Sequence, residues 1–355
     1  MAEDSSLDQS RPKISLGGEE KPALTGGLLS LRIHEEVHGL YGCEAAFGNW
    51  GDVAGKPSFL YFDRKTLEFG KKLTVKLGAD SIFTGNITGL EAGFQEGNAP
   101  SLTVLAEDRF QELRMTRRTR TFADMSDSAV INQVASDHGL TPDVSVTGPT
   151  HKVVAQLNQS DLAFLRERAR AVDGELWMTD ATLSVKARAN RTSTPLKLTL
   201  GKELREFKVL ADLASQRTGI DVTGWDVAGK AGLKENAAES VVSGELKGGD
   251  GGASILSSAF GQRKETVANA APLSSDEARA HAEAIFKQHA RRFVRGRGVA
   301  EANAKLRAGA TVKLEGLGPL FEGEYYLAAV THVFDGAKGL RTEFVAERPG
   351  LGRSQ

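Results

Sequence analysis

The chain has 355 residues and is almost neutral, with 45 Lys and Arg residues against 46 Asp and Glu residues. This length predicts two or three domains of ordinary size. The charge balance argues against a dedicated nucleic-acid-binding protein, which usually carries a basic excess. The single cysteine, Cys43, excludes an internal disulfide framework, and we expect it to be a small buried apolar side chain.

The first 22 residues are polar and rich in Gly, Ser and Glu, and they predict a disordered tail. They lack the basic and apolar regions of a signal peptide. The sequence also has no run of about 18 apolar residues, so we predict no membrane anchor. We therefore expect a soluble protein that is made in the cytoplasm.

Residues 23–121 are predicted to form a β domain. From Leu28 to Leu113 apolar residues mostly alternate with polar ones, as in Leu29, Leu31 and Ile33. Glycine-containing turn signals separate the runs. This pattern is typical of an antiparallel sandwich or barrel.

The middle of the chain, residues 122–195, is predicted to be an α+β insert, because the period of the apolar residues changes after Arg120. Ser126 and Ser160 are candidate N-caps of two helices that end at Gly139 and Gly174. The segments between and after these helices are a predicted loop, strand and hairpin: Thr141–His151, Val153–Leu157, and Leu176–Met178 with Leu183–Val185.

Alternation returns at Leu196, and residues 196–348 are predicted to form a second β module. Within it, residues 228–270 are rich in Gly, Ala, Ser and Lys and predict a long flexible loop. Ser274-x-x-Glu277 is a capping box that predicts a helix over 275–292. Residues 349–355 are predicted to be a tail.

The end of this second module resembles part of the first. Thr74–Arg109 and Thr311–Arg348 both begin with Thr-Val-Lys-Leu, and both close with Ala-Glu. Each also contains Phe-x-Gly, at Phe83 and Phe321. They lie about 240 residues apart, whereas solenoid repeats have periods of about 20–50 residues. We interpret them as one β module that is used twice.

One motif suggests an enzyme. His34-Glu35-Glu36-Val37-His38 matches H-E-x-x-H, in which two histidines of a helix bind zinc and the glutamate is the general base. Here the motif follows an alternating strand, in which the two histidines would lie about 13 Å apart. A short amphipathic helix over 28–38 is the other possibility, and it would permit a zinc-dependent hydrolase. No third ligand is identifiable.

The remaining candidate residues favour structural roles. Four arginines form a basic cluster that we interpret as a solvated edge strand, although a channel lining or a contact with acidic residues of another subunit stays open: Arg114, Arg117, Arg118 and Arg120. His281 and His289 lie two helical turns apart, too far to chelate one metal, and His332 alternates with apolar residues on a strand. We therefore predict no catalytic residue, no metal site and no cofactor.

The stretch from Val153 to Trp177 resembles a signature of the phage late control protein D family and of the related hub portion of VgrG proteins. In that signature a strand leads to Gln, Ser-Asp-x-x-Phe-Leu and a helix that ends at Gly before an aromatic strand. The matching residues are Gln156, Ser160, Asp161, Phe164, Leu165, Gly174 and Trp177. Phe321–Tyr325, Thr331-His332 and Gly339–Phe344 also resemble the last strands of the family.

This resemblance implies a fold that is mainly β with an α+β insert, and a non-enzymatic baseplate hub. Such hubs are homotrimers in which each chain contributes two tube-like antiparallel β-barrels, and the resulting pseudo-six-fold ring joins a six-fold inner tube to a three-fold spike. The implied partners are an inner tube protein, a spike protein and other baseplate proteins in a phage tail or injection particle. Because the chain ends at Gln355, we expect the spike to be a separate protein.

Overall fold

The computed structural model describes residues 11–191, 193–227 and 229–353. The described residues are 49% strand and 20% helix, and their sheets are largely antiparallel, which confirms the predicted mainly β class. It divides into two compact units. The first contains residues up to 111, 299–308 and 329–344, and the second contains 112–298, 309–328 and 345–355. The domain boundaries inferred from the sequence remain a prediction.

The strands, β1–β25 in chain order, are Lys13–Leu16, Glu19–Glu20, Leu28–Glu36, Gly42–Gly48, Trp50–Val53, Lys56–Phe59, Lys72–Leu77, Asp80–Gly93, Ser101–Glu107, Arg117–Ser126, Thr141–Ser145, Thr150–Ser160, Gly174–Thr179, Thr182–Ala187, Leu196–Thr199, Leu204–Ala211, Gly219–Asp226, Ala231–Ala237, Asp250–Gly251, Lys264–Val267, Val294–Glu301, Thr311–Glu315, Gly323–Asp335, Gly339–Arg348 and Gly350–Leu351. The α-helices, α1–α6, are Pro22–Gly27, Phe110–Arg114, Asp127–Asp137, Asp161–Ala171, Gly252–Phe260 and Ser275–Arg291. Two 3-10 turns cover Arg188–Asn190 and Glu239–Glu245. None of the helices in the described part of the chain is long and apolar enough to cross a membrane.

The first unit is built on an antiparallel sheet in the order β2-β1-β7-β8-β9-β4-β3, which residues 329–335 of β23 extend beside β3. Alternation along each strand decides its buried face. In β7, for example, Leu73 and Val75 are fully buried, whereas Lys76 is exposed. Cys43 is buried in β4, as expected, and burial raises the pKa of its thiol.

The N-terminal segment belongs to this sheet. Residues 11–22 were expected in a disordered tail, but Lys13–Leu16 pairs with β7, and Ile14 is fully buried opposite Val75. Arg11 donates hydrogen bonds to the carbonyl oxygens of Thr25 and Gly26. The expectation is wrong for these residues because the apolar pair Ile14 and Leu16 forms a strand too short for its alternation to stand out. The first ten residues of the predicted tail lie outside the described residues.

The second unit contains the insert. Strands β10 and β12 form a two-stranded ribbon, and β11, β14 and β13 form a small sheet. The predicted N-caps are confirmed: the Ser126 and Ser160 hydroxyls accept hydrogen bonds from the Ala129 and Ala163 backbone amides. The predicted hairpin is also present as β13 and β14.

Two segments that we expected to be loops contain regular structure. Thr141–Ser145 pairs in parallel with β14, a contact that no local pattern reveals. Residues 229–270 hold β18, a 3-10 turn, β19, α5 and β20 rather than a flexible loop. Here β18, β17 and β20 form a sheet, and Val242 and Ala253 are buried in the core that this sheet shares with α6. The many small residues pack closely there, so the composition of this segment wrongly indicated a flexible loop.

The predicted C-terminal tail over 349–355 is also wrong in part. Gly350–Leu351 pairs with β19.

The duplicated sequence forms the same arrangement twice. In each copy the Thr-Val-Lys-Leu strand, β7 or β22, pairs antiparallel with the long strand that follows it. The sequence match between Phe83 and Phe321 does not correspond to equivalent positions in the two copies. Val75 lies opposite Phe83 in the first copy, whereas Val312 lies opposite Tyr325 in the second. The cause is the connection before the long strand: β8 starts three residues after β7, but residues 316–322 form a longer loop before β23.

The two module strands make a direct test of folding. Val75 and Val312 are fully buried at corresponding positions of the two copies. We expect Val75→Asp and Val312→Asp each to lower the free energy of unfolding by about 3–5 kcal/mol, because each buries an unpaired charge. The measurement is chemical denaturation followed by circular dichroism.

Lys76→Glu and Lys313→Glu are the matched controls, since these side chains lie next along the same strands and point to solvent. We expect each control to change the unfolding free energy by less than about 1 kcal/mol. Equal destabilisation by the control and by the core variant would contradict the strand register described here.

Candidate functional site

The H-E-x-x-H stretch lies on a strand and the turn that follows it. His34 and Glu35 belong to β3, and His38 lies two residues beyond the end of that strand. The His34 ring bonds the Thr331 hydroxyl through Nδ1 (3.0 Å) and the Glu36 carboxylate through Nε2 (3.2 Å). Successive side chains of a strand point to opposite faces. The helical spacing that the zinc-hydrolase pattern needs is therefore not present.

The glutamate of this stretch is a structural residue. Glu35 is buried, and its carboxylate accepts hydrogen bonds from Nε of Arg307 (2.6 Å) and from the backbone amide of Ala308 (3.1 Å). Its burial and its pairing with a cation are typical of a structural ion pair. Among the described residues, no group of three or more His, Cys, Asp or Glu side chains is placed to hold a metal ion.

The basic cluster makes contacts within the insert. Arg117 and Arg118 are exposed on β10, as expected for an edge strand, but Arg120 is half-buried. Its guanidinium donates to Gln156 Oε1 (2.8 Å), and it forms ion pairs with Asp137 (2.6 Å) and Asp161 (3.0 Å). The acidic partners of Arg120 thus come from its own chain, and Arg118 also pairs with Asp161. The expectation of a wholly solvated edge strand is wrong for these two residues, and for Arg114, which ends helix α2.

Asp161 is the centre of the signature that the sequence pointed to. It is fully buried at the start of α4. Its carboxylate contacts four side chains: Arg118 (3.0 Å), Arg120 (3.0 Å), His138 (2.8 Å) and Gln156 (2.8 Å). We call these five residues the signature cluster. Burial opposes ionisation, but hydrogen bonds from His138 and Gln156 and the two arginine charges hold the pKa of Asp161 below its ordinary value.

The apolar members of the signature complete this packing. The Phe164 ring stacks on the Phe122 ring, with centroids 5.7 Å apart, so that α4 is fixed on the β10–β12 ribbon. At Gly174 a side-chain carbon would come within 3.1 Å of the Ala169 carbonyl oxygen. The signature therefore specifies how a helix closes over a ribbon.

A second buried cluster, which sequence reasoning missed, centres on His151. Its ring contacts Glu277 Oε1 through Nδ1 (2.6 Å) and Asp127 Oδ2 through Nε2 (3.0 Å). Nε of Arg168 donates to the other oxygen of Asp127 at 2.6 Å. These four residues, the histidine cluster, join β12, α3, α4 and α6. A carboxylate faces each ring nitrogen, which favours the doubly protonated ring. Nη2 of Arg168 also lies 3.1 Å from Nε2, and its charge opposes that state.

The pKa shifts agree with this geometry. The hydrogen bond to Asp127, and then the one to Glu277, raise the pKa of His151 against the opposing effect of burial and of Arg168. Burial would raise the pKa of Asp127, but its bonds to His151 and Arg168 hold it below its ordinary value. His281 on α6 has a lowered pKa, because it is half-buried and lies near Arg168.

A third network lines a cavity of about 560 Å³ in the second unit. Arg188 bonds Glu175 (3.1 Å) and Glu347 (2.6 Å), and its guanidinium lies 4.1 Å from the centroid of the Tyr326 ring. Glu347 belongs to the Ala-Glu that closes the second copy of the module. The network therefore ties the end of the insert to that copy. Nothing in the spacing of these residues could have revealed it, because they lie up to 172 positions apart.

The histidine cluster predicts a specific pH dependence of stability. An unfolded histidine titrates near pH 6.5, and the pKa of folded His151 is raised above that value. The contribution of His151 to the free energy of unfolding is therefore complete below about pH 6.5, and it is lost as the pH rises through the pKa of the folded state. We expect the melting temperature to fall on the alkaline side in the native chain. In His151→Gln that alkaline fall should be smaller, with an overall loss of about 3–5 kcal/mol at neutral pH.

Differential scanning fluorimetry between pH 5 and 9 measures this dependence. His34→Gln is the control, because the His34 side chain is 43% exposed in the first unit. It should leave the shape of the pH profile unchanged. If the alkaline slope were the same in the native chain and in His151→Gln, the ion-paired state of His151 would be refuted.

Solved structures share this fold over nearly the whole chain. The 43 kDa tail protein of prophage MuSo2 from Shewanella oneidensis has a TM-score of 0.70 at 15% identity, with 96% of this chain and 98% of that one covered. A tail protein from Neisseria meningitidis MC58 has a TM-score of 0.67 at 13% identity, with 96% and 97% covered. An Escherichia coli component of the type VI secretion system has a TM-score of 0.62 at 13% identity, with 96% and 79% covered.

These similarities confirm the resemblance to baseplate hub and VgrG-like proteins that the signature indicated, at the level of the fold. No curated protein matches the sequence at a significant level. One family model, described as the Alg8 N-terminal domain, matches residues 7–335. Because this match covers most of the chain, the protein belongs to the Alg8 N-terminal domain family.

Proposed function

We propose that the chain is a structural baseplate hub of a contractile tail or contractile injection system. In this role it forms a homotrimer that joins a six-fold inner tube to a three-fold spike and contacts other baseplate proteins. The observation that carries the proposal is the duplicated module, in which β7 with β8 and β22 with β23 repeat one antiparallel arrangement within a single chain.

The symmetry argument follows from this duplication. A ring of three chains presents three equivalent surfaces, and a six-fold tube needs six. Two copies of a module per chain give the ring six similar surfaces. In the proposed ring each copy forms one tube-like β-barrel, so that each chain contributes two. The tail-protein fold of the structural neighbours supports the same assignment.

The buried residues of the described chain also favour a structural role. Glu35, Asp127 and Asp161 are each buried and each bonded to an arginine. Ion pairs that are satisfied in this way fix the geometry of a fold. The zinc-hydrolase alternative loses its support, since His34 and His38 lie on a strand and a turn.

The test is the mass of the purified chain in solution, measured by multi-angle light scattering on a sizing column over a range of concentrations. The chain mass is 37.9 kDa, so a trimer should elute as a species of about 114 kDa. Class averages from electron microscopy should then show a three-fold ring with six similar densities. A monomer at every concentration, also in the presence of the spike protein, would contradict the proposal.

A further inference from the structure

Four aromatic rings form a cluster on the first unit, and we call it the aromatic cluster: Trp50, Phe59, Phe62 and Phe94. Phe62 is half-buried, and the other three rings are exposed. Trp50 and Phe59 face each other across the hairpin of β5 and β6, with ring centroids 5.2 Å apart. Phe62 stacks on Phe59 at 4.8 Å. Trp50 is 48% exposed, Phe59 is 42% exposed and Phe94 is 67% exposed. Contiguous exposed aromatic rings of this kind mark interaction surfaces.

The base of this hairpin is held in place. Asn49 is fully buried, and its side-chain oxygen accepts a hydrogen bond from the Tyr61 backbone amide at 2.7 Å. Its carbonyl oxygen accepts a further bond from the Leu60 amide. The rings are therefore presented in a fixed arrangement, which lowers the conformational entropy that binding would cost. Such aromatic anchors carry much of the energy of an interface.

A complementary surface lies on the second unit, and we call it the basic groove. Its volume is about 490 Å³, and its apolar part is formed by Leu213, Leu256 and Phe260. Phe260 is 61% exposed. Three cations line the same groove: Arg217, Arg263 and Lys264. Arg217 is paired with Glu265 at 2.8 Å, so the excess positive charge comes from Arg263 and Lys264. Arg263 donates to the carbonyl oxygen of Gln262, and its guanidinium charge faces solvent.

The charges around the two surfaces are complementary. Asp52 lies on the aromatic hairpin, and Glu91 and Glu96 flank Phe94, all three exposed. Lys56 lies within the hairpin strands. Arg64 and Lys65 follow Phe62, but they are paired with Glu68 and Asp63. The acidic margin of the cluster suits the cations of the groove. Arginine also binds favourably over the face of an aromatic ring, which adds to the match.

We infer that the aromatic cluster of one copy of this chain docks in the basic groove of the neighbouring copy. This inference rests on the proposed trimer and names a contact that holds it together. A three-fold ring is closed by a head-to-tail contact between two different surfaces of the same chain. Four rings bury less than the roughly 800 Å² per partner of a standard interface, so they act as the anchor of a larger contact.

Cysteine cross-linking tests the contact directly, and the chain is suited to it because Cys43 is buried. Chains carrying Asp52→Cys and chains carrying Arg263→Cys are co-expressed with different tags, purified together and oxidised. We expect a reducible disulfide between the two tagged chains. The control is the pair Asp52→Cys with Lys152→Cys, because Lys152 is exposed and lies outside the groove. The yield of the disulfide should be at least about 10-fold higher than in this control, because docked sites are held at high effective concentration.

Removal of the anchor is the second arm. Trp50→Ala and Phe59→Ala should each weaken trimerisation by about 30-fold, as expected for central aromatic anchors. Phe69→Ala is the control, since that ring is 50% exposed outside the cluster and should leave the affinity unchanged. A stable trimer with no specific cross-link and no effect of Trp50→Ala or Phe59→Ala would overturn this contact and leave the trimer intact. A monomeric native chain would overturn the proposed trimer, and the contact with it.

Discussion

Charged groups that are buried in the second unit must be paired, and this constraint determines how the insert is assembled. Asp127, Asp161 and Glu175 are all nearly inaccessible to water, and each bonds at least one arginine from a different element. Removing a charge from water costs several kcal/mol, so only a precise partner geometry makes such a pair tolerable. The pairs therefore act as positional constraints: they fix α3, α4 and α6 relative to the β10–β12 ribbon.

The parts of the fold that sequence predicted are those governed by local chemistry. The Ser126 and Ser160 caps, the helix after Ser274 and the alternating strands of the first unit all follow from residues within a few positions of each other. The signature around Asp161 could also be found, because Gln156, Ser160 and Asp161 are close in sequence. The strand placement of His34 followed from the alternation of Leu29, Leu31 and Ile33.

The features that sequence missed depend on distant contacts. Thr141–Ser145 is a strand because it pairs with β14, about 40 residues later. His151 was placed at the end of a loop, and its role becomes visible only when Glu277, 126 residues away, lies beside it. Residues 229–270 looked like a flexible loop because glycine and alanine have no strong period. Those same small residues allow Ala253 and Val242 to pack closely against α6.

A ring adapter of the proposed kind would place opposite demands on the two copies of the module. Where the proposed ring faces the six-fold tube, the copies must be alike, and their Thr-Val-Lys-Leu strands pair in the same way. Where it faces three-fold partners, they must differ.

The differences lie in the connections. The turn between β7 and β8 contains two residues, Gly78 and Ala79, whereas residues 316–322 separate β22 from β23. The aromatic hairpin likewise follows β4 of the first unit. A loop that occurs once per chain occurs three times per ring, so the contacts it makes can follow only three-fold symmetry. In the proposed hub, six-fold contacts therefore belong to the module strands, and three-fold contacts belong to the loops and hairpins that only one copy possesses.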